Sequence, residues 1–206
     1  SLCEIFIDKK KMHEQLAKAG GVKTIPLSNY KFPMFMKPRR GSASKGTYLV
    51  NDEISLTNIL ANIDEKDYIK EKYIDGVEYT VDAYVSKKGK VIGVVPRTRH
   101  VVTDGESTTA IIKKDTEIIQ VTKKILGKFD FKGPITVQFI RKGAELYLME
   151  LNLRFGGGVI ASIESGFNIP KIMIQDFLDM PFSKLIKYKP IIMTRCYREA
   201  FHAINN

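Results

Sequence analysis

The sequence predicts an α+β protein built on antiparallel hairpins, and three observations lead there. Strand-like segments come as adjacent pairs: 78–85 with 91–99 across a turn at Lys88-Gly89, and 135–140 with 145–152 across Lys142-Gly143. The helical patterns between them are few, and no β-α-β-α alternation supports a doubly wound parallel sheet. Hydrophobic residues make up 44% and charged residues 27% of 206 positions, a globular composition. A chain of this length buries roughly 70% of its unfolded surface, so neither a disulfide nor a structural metal is required.

The elements follow in order. Residues 8–19 read as a basic amphipathic helix, with Asp8 as N-cap, Met12, Leu16 and Ala19 as the apolar stripe, and Gly20-Gly21 as the stop. Ser1-Leu2 are left out of the reading. Pro26 and Pro33 bracket an irregular connection. Residues 32–36 form a short apolar strand ending at Lys37-Pro38, a polar glycine-bearing loop spans 39–46, and 47–50 is the next strand. A helix over 52–63 and a strand over 68–73, closed by Asp75-Gly76, complete a first small lobe. After the first hairpin, 108–113 adds a strand and 115–127 a helix closed by Gly127. Beyond the second hairpin and Gly156-Gly157-Gly158, helical patterns cover 159–165 and 170–179. The expected division is an opening helix and connection over 1–25, a small lobe over 26–75 and a large lobe over 76–206.

Thirty-three Lys and Arg against 23 Asp and Glu give a net charge of +10, which predicts an anionic partner. Apolar runs such as 91–95 are far too short to span a bilayer, which takes about 20 residues, and no signal peptide opens the chain. Cys3 and Cys196 lack C-x-x-C spacing, and His13, His100 and His202 lack metal-ligand spacing. A reducing cytoplasm is the default location, and each histidine reads as a satisfied or solvated side chain.

Four constellations carry possible chemistry. The loop from Lys37 through Arg39, Arg40, Gly41, Ser42, Ser44, Lys45 and Gly46 lets backbone N–H groups converge on an anion beside a fixed positive charge. It lacks the order of a Walker A loop. The run from Glu71 to Glu78 offers a strand end for an adenine edge and a carboxylate for ribose hydroxyls. Glu150, Asn152 and Arg154 alternate with apolar residues, so they share one strand face. A carboxylate and an amide oxygen there suit a hard cation beside an anion. Gln138 joins that face if it pairs with Glu150, which an odd-length hairpin loop would provide. Arg97 and Arg99 lie on one face of their strand and suit a phosphate or carboxylate. Each constellation taken alone also reads as ordinary surface charge.

Taken in order, the constellations resemble the ATP-grasp superfamily, and within it the carbamoyl phosphate synthetase and biotin carboxylase type. The resemblance runs from Asp8 to about Asp179 and rests on Asp8-Lys9, Lys37 before its loop, Glu71-x-x-x-x-x-x-Glu78, Gln138, and Glu150-x-Asn152-x-Arg154. It implies two lobes with ATP between them. Lys9, Lys37 and the loop residues Gly41, Ser42, Ser44, Lys45 and Gly46 would hold phosphates. Glu71, Lys72, Tyr73 and Ile74 would frame adenine, and Glu78 would bind ribose. Gln138, Glu150 and Asn152 would hold magnesium or manganese, and Arg154, with Lys37, Arg97 and Arg99, would act on the transferred phosphate. The implied activity is carboxylate–amine ligation through an acyl phosphate, with bicarbonate or a small carboxylate and an amine as partners. Family members usually carry a Rossmann-like domain before the opening helix, so the resemblance implies a missing domain or companion subunit. A non-catalytic ATP sensor is the alternative. A basic nucleic-acid-binding module is the weaker one, since Tyr48, Tyr79 and Tyr84 are not interleaved with the basic residues.

Overall fold

The computed structural model describes residues 1–29, 31–41, 44–103, 106–183 and 186–196. Helix α1 (Leu2–Phe6) and helix α2 (Lys9–Ala19) open the chain. The Ser1 hydroxyl caps α1, so the two residues left out of the sequence reading are structured. Asp8 caps α2 by accepting from the Lys10 and Lys11 amides, and Gly20 ends it. A small antiparallel sheet has the order β3-β2-β4, from β2 (Met34–Pro38), β3 (Tyr48–Val50) and β4 (Tyr68–Lys72). Helix α3 (Glu53–Leu60), capped by Asp52, closes one face of it, with Leu56 against Met34, Met36 and Val50.

The large sheet has seven strands in the order β1-β9-β8-β5-β6-β7-β10. They are β1 (Lys23–Thr24), β5 (Val77–Val85), β6 (Val91–Thr103), β7 (Glu106–Ile112), β8 (Gly133–Lys142), β9 (Glu145–Asn152) and β10 (Ile191–Thr194). Both expected hairpins are present. The all-antiparallel expectation fails at one edge, where β1 pairs parallel to β9. Neither β1 nor β10 was predicted; both are short edge strands whose pairing is decided by the strand they meet.

The faces of the large sheet follow from strand alternation. Val81, Ala83, Val137 and Phe139 point to one face, where Met12 and Leu16 of α2 and Ile118, Ile125 and Leu126 of α4 (Thr116–Leu126) form the main core. Tyr84 points to the other face, under α5 (Val159–Ser165) and α6 (Ile169–Phe177). These two helices cover only one end of that face. The uncovered end carries Glu78, Thr80, Gln138 and Glu150 and looks toward the small sheet.

Packing under α5 and α6 is tight at Gly93, where an added Cβ would come within 2.5 Å of the Phe167 ring. Gly93→Ala is therefore expected to destabilise the chain by about 1–3 kcal/mol through overpacking. Urea unfolding of the two proteins measures this, and an unchanged midpoint would contradict the close contact.

Candidate functional site

The site is a cleft between the two sheets. The free face of the small sheet supplies one wall: alternation turns Met34 and Met36 toward α3, and Phe35, Lys37 and Glu71 the other way. The large sheet supplies the floor. Ile25, Ile74, Ile140 and Met149 make an apolar patch at the hinge end, facing Phe35. This compartment, of about 170 Å³, is also lined by Lys9, Lys37, Gly41, Ser44, Lys45, Lys72, Tyr73 and Glu78. A second, more polar compartment of about 410 Å³ adjoins it and shares Ser44, Arg99, Gln138 and Glu150. Asn152, Arg154, Arg97 and Gly156-Gly157-Gly158 also line it.

Gln138 stands directly opposite Glu150, and Thr136 opposite Asn152. The register condition inferred from the sequence is not how this comes about. Lys142 pairs with Glu145, so the loop is the two-residue turn Gly143-Ala144. That register alone would set Gln138 against Met149. A β-bulge at Met149 shifts the pairing by one residue between Phe139–Leu148 and Gln138–Glu150. The core leucines record the shift, at Leu146 and Leu148 and then Leu151. The bulge brings Gln138, Glu150 and Asn152 onto the cleft face and leaves Met149 on the apolar patch. Two amide oxygens and one carboxylate form a hard-oxygen donor set that fits magnesium. Among the described residues no group of three His, Cys, Asp or Glu side chains could hold a metal.

The basic residues are held in place. Lys9 donates to the Gly41 carbonyl at 3.2 Å, and its Nζ lies 3.7 Å from Glu150 Oε1. Lys37 Nζ lies 2.6 Å from Glu71 Oε2, and His13 Nε2 is 2.9 Å from Glu71 Oε1. Glu71 is only 1% exposed. Burial pushes its carboxyl up, but the Lys37 charge and the His13 hydrogen bond outweigh that and hold it below the usual carboxylate range. The Glu71 side chain, expected to frame adenine, is thus committed to Lys37 and His13. Lys72, Tyr73 and Ile74 remain at the hinge, where Tyr73 stacks on Phe35 at 6.2 Å between ring centroids.

The arginines already have partners in the structure. Arg97 is 3% exposed and donates from Nε to Asp82 Oδ2 at 3.0 Å. A Cβ on Gly158 would sit 2.7 Å from its guanidinium, so a side chain there would have to displace the guanidinium. Arg97 therefore lines the polar compartment as a side chain already paired with Asp82. Arg99 Nη1 donates to Glu78 Oε2 at 2.6 Å, which ties the expected ribose carboxylate to an expected phosphate ligand. Arg154 is exposed and donates to the Phe155 carbonyl at 2.9 Å. Of the loop residues, Gly41, Ser44 and Lys45 line the cleft, Gly46 turns the chain beneath Tyr68, and Ser42 lies outside the described residues.

Sequence reasoning missed the apolar patch, the Glu71 partner of His13 and the clamp at the loop's base. In that clamp Arg39 Nη2 donates to Asp8 Oδ2 at 2.6 Å and the Lys9 amide donates to the Arg39 carbonyl at 2.9 Å. The irregular spacing of Leu146, Leu148 and Leu151 was a readable sign of the bulge; nothing local to His13 or Asp8 announced a partner 58 or 31 residues away.

Comparison with known proteins places this architecture. The N5-carboxyaminoimidazole synthetase of Staphylococcus aureus, solved with ADP, superposes with a TM-score of 0.76 at 21% identity, covering 94% of this chain and 57% of that one. The biotin carboxylase domain of Hydrogenobacter thermophilus 2-oxoglutarate carboxylase, solved with MgADP, ADP and bicarbonate, gives 0.75 at 19% identity over 92% of this chain and 50% of that one. The fold is therefore that of ATP-grasp enzymes. Residues 64–198 match the family described as "ATP-grasp in the biosynthetic pathway with Ter operon", and the chain belongs to it. The carbamoyl phosphate synthase large chain of Clostridium beijerinckii is 30% identical over 136 residues, which are 60% of this chain and 13% of that protein. The formate-dependent phosphoribosylglycinamide formyltransferase of Prochlorococcus marinus is 27% identical over 173 residues, 77% of this chain and 44% of that one. The chain thus spans a small part of the first of these relatives and under half of the second. Among the described residues no helix is long and apolar enough to cross a membrane.

The clamp carries a pH prediction. Burial pushes the Asp8 carboxyl up, but hydrogen bonds from Arg39 and the α2 amides outweigh that and leave it lowered. A lowered folded value means the stabilisation is full above the unfolded value near about 4 and is lost as pH falls through the folded one. The melting-temperature gap between the wild type and Arg39→Met should therefore be constant above about pH 5 and shrink toward pH 3. A gap independent of pH would refute the clamp.

Proposed function

We propose that this chain is the magnesium-dependent ATP-binding catalytic module of a carboxylate–amine ligase similar to carbamoyl phosphate synthase. The observation that carries the reading is the alignment of Gln138, Glu150 and Asn152 on one floor, in the same cleft as Lys9 and Lys37. The adenine would lie on Ile25, Ile140 and Met149 against the Tyr73–Ile74 backbone, with the ribose toward Glu78. Phosphates would run past Lys37 and Lys9, beneath Gly41, Ser44 and Lys45. Bound on Gln138, Glu150 and Asn152, magnesium would neutralise phosphate charge as negative charge builds in the transition state.

The substrate carboxylate would lie in the polar compartment. Its oxygen attacks the γ-phosphorus, the bond to the β-phosphate bridging oxygen breaks, and ADP leaves. An amine then attacks the carbonyl carbon of the acyl phosphate, losing a proton and expelling phosphate. Lys37 and Arg154 supply fixed positive charge along this path. No protein nucleophile is required. The relatives named as a carbamoyl phosphate synthase and the neighbours solved with ADP, MgADP and bicarbonate support this reading. Because the chain spans only part of those proteins, nucleotide binding is tested before turnover.

The test is the melting temperature of the chain titrated with ATP, with and without magnesium. At about 100 times its dissociation constant the nucleotide should add about 2.7 kcal/mol of stability. That gain should require magnesium and be lost in Lys37→Ala and Glu150→Ala. A wild-type chain that shows no gain would overturn the reading.

A further inference from the structure

We propose that His13 is a positioning residue for Lys37, acting through Glu71: the imidazole takes a share of the Glu71 charge and so sets how firmly Lys37 is held back from an anion in the cleft. This rests on the reading of the cleft as a nucleotide site. The geometry is a carboxylate divided between two donors. Oε1 is hydrogen-bonded to His13 Nε2 at 2.9 Å and Oε2 forms an ion pair with Lys37 Nζ at 2.6 Å, so each partner has its own oxygen. An ionised carboxylate only accepts hydrogen bonds, so the proton of that contact sits on Nε2. All three groups are enclosed: the His13, Glu71 and Lys37 side chains are 6%, 1% and 14% exposed.

A hydrogen-bond donor and an ion-pair partner each stabilise the same buried charge, so each draws on what the other would otherwise have alone. With His13 in place, Glu71 fixes Lys37 at the cleft wall without monopolising its ammonium. With an aliphatic residue at position 13, the whole charge of Glu71 falls on Lys37. Nothing in the packing of α2 calls for an imidazole there, since Met12 and Leu16 already fill the core side and a buried polar ring costs free energy unless it is hydrogen-bonded. His13 comes from α2, Glu71 from β4 and Lys37 from β2. Lys9 at the start of α2 lines the cleft directly, whereas His13 on the same helix reaches it only through Glu71.

The test is a double-mutant cycle with His13→Leu, Glu71→Gln and the pair, plus His13→Gln, which keeps an N–H donor. Two readouts are needed. The first is the acetylation rate of Lys37 by a small amine-reactive reagent, followed by peptide mass spectrometry, which involves no nucleotide. The second is the affinity for ATP with magnesium by calorimetry. His13→Leu should slow Lys37 acetylation and weaken ATP binding, each by about tenfold, the size of one unit of charge-pair shift. His13→Gln should restore both to within about threefold, and in the Glu71→Gln background the His13→Leu effect should vanish. Unchanged acetylation in His13→Leu, or an effect that persists with Glu71→Gln, would show a packing role alone and overturn the inference. If the wild type binds no ATP, the nucleotide reading fails, while the acetylation cycle still decides whether His13 controls Lys37.

Discussion

A buried negative charge organises the region where the two sheets meet. Glu71 lies on the inner face of β4 with almost no access to water. A carboxylate in that position is tolerated only when opposite charge and hydrogen-bond donors reach it. They come from two places far apart in sequence, Lys37 on β2 and His13 on α2. Satisfying that one charge ties the opening helix to the small sheet and fixes a lysine on the cleft wall. The Asp8–Arg39 pair repeats the arrangement one turn earlier on α2, at the base of the loop. One ion pair, Asp8–Arg39, and one hydrogen bond, His13–Glu71, join α2 to the small-sheet unit and set where the cleft's roof begins.

The floor obeys a different constraint. The face of the large sheet away from the main core is covered by α5 and α6 at one end only. Polar residues at the uncovered end need not be buried, and there the chain places Gln138, Glu150 and Asn152. The bulge at Met149 makes this possible. It keeps Leu146, Leu148 and Leu151 in the core while bringing Glu150 and Asn152 to the cleft, which no uninterrupted alternation could do. The same extra residue supplies the methionine of the apolar patch, so one irregularity serves both compartments.

Four of the positive charges in the cleft are already engaged. Lys9 touches Gly41 and Glu150, Lys37 touches Glu71, Arg97 touches Asp82, and Arg99 touches Glu78. Such pairing limits side-chain motion, so an anion entering the cleft meets groups whose conformational entropy is already lost. It also means that binding proceeds by exchange of partners. The Lys9–Glu150 separation of 3.7 Å is long enough for that exchange to be easy; the 2.6 Å contact at Lys37 is not, and there His13 offers a second claim on the carboxylate.

The sequence by itself determined whatever depends on neighbours along the chain. Asp8, Asp52 and Gly20 marked helix ends because capping is local, and the two hairpins were legible because their strands meet across tight turns. The alternation of Glu150, Asn152 and Arg154 was likewise local, and the ordered motifs pointed to the family. Tertiary structure decided the rest, because it depends on pairings that close over dozens of residues. The parallel β1–β9 pair, the union of Ile25, Ile74 and Ile140 and the burial of His13 against Glu71 have no sequence-local signal. The Arg97 guanidinium was a candidate ligand on its strand, and only the fold showed that it is paired with Asp82 beneath Gly158. Which face a residue takes is written in the period of its strand; what waits on that face is set by chain that arrives from elsewhere.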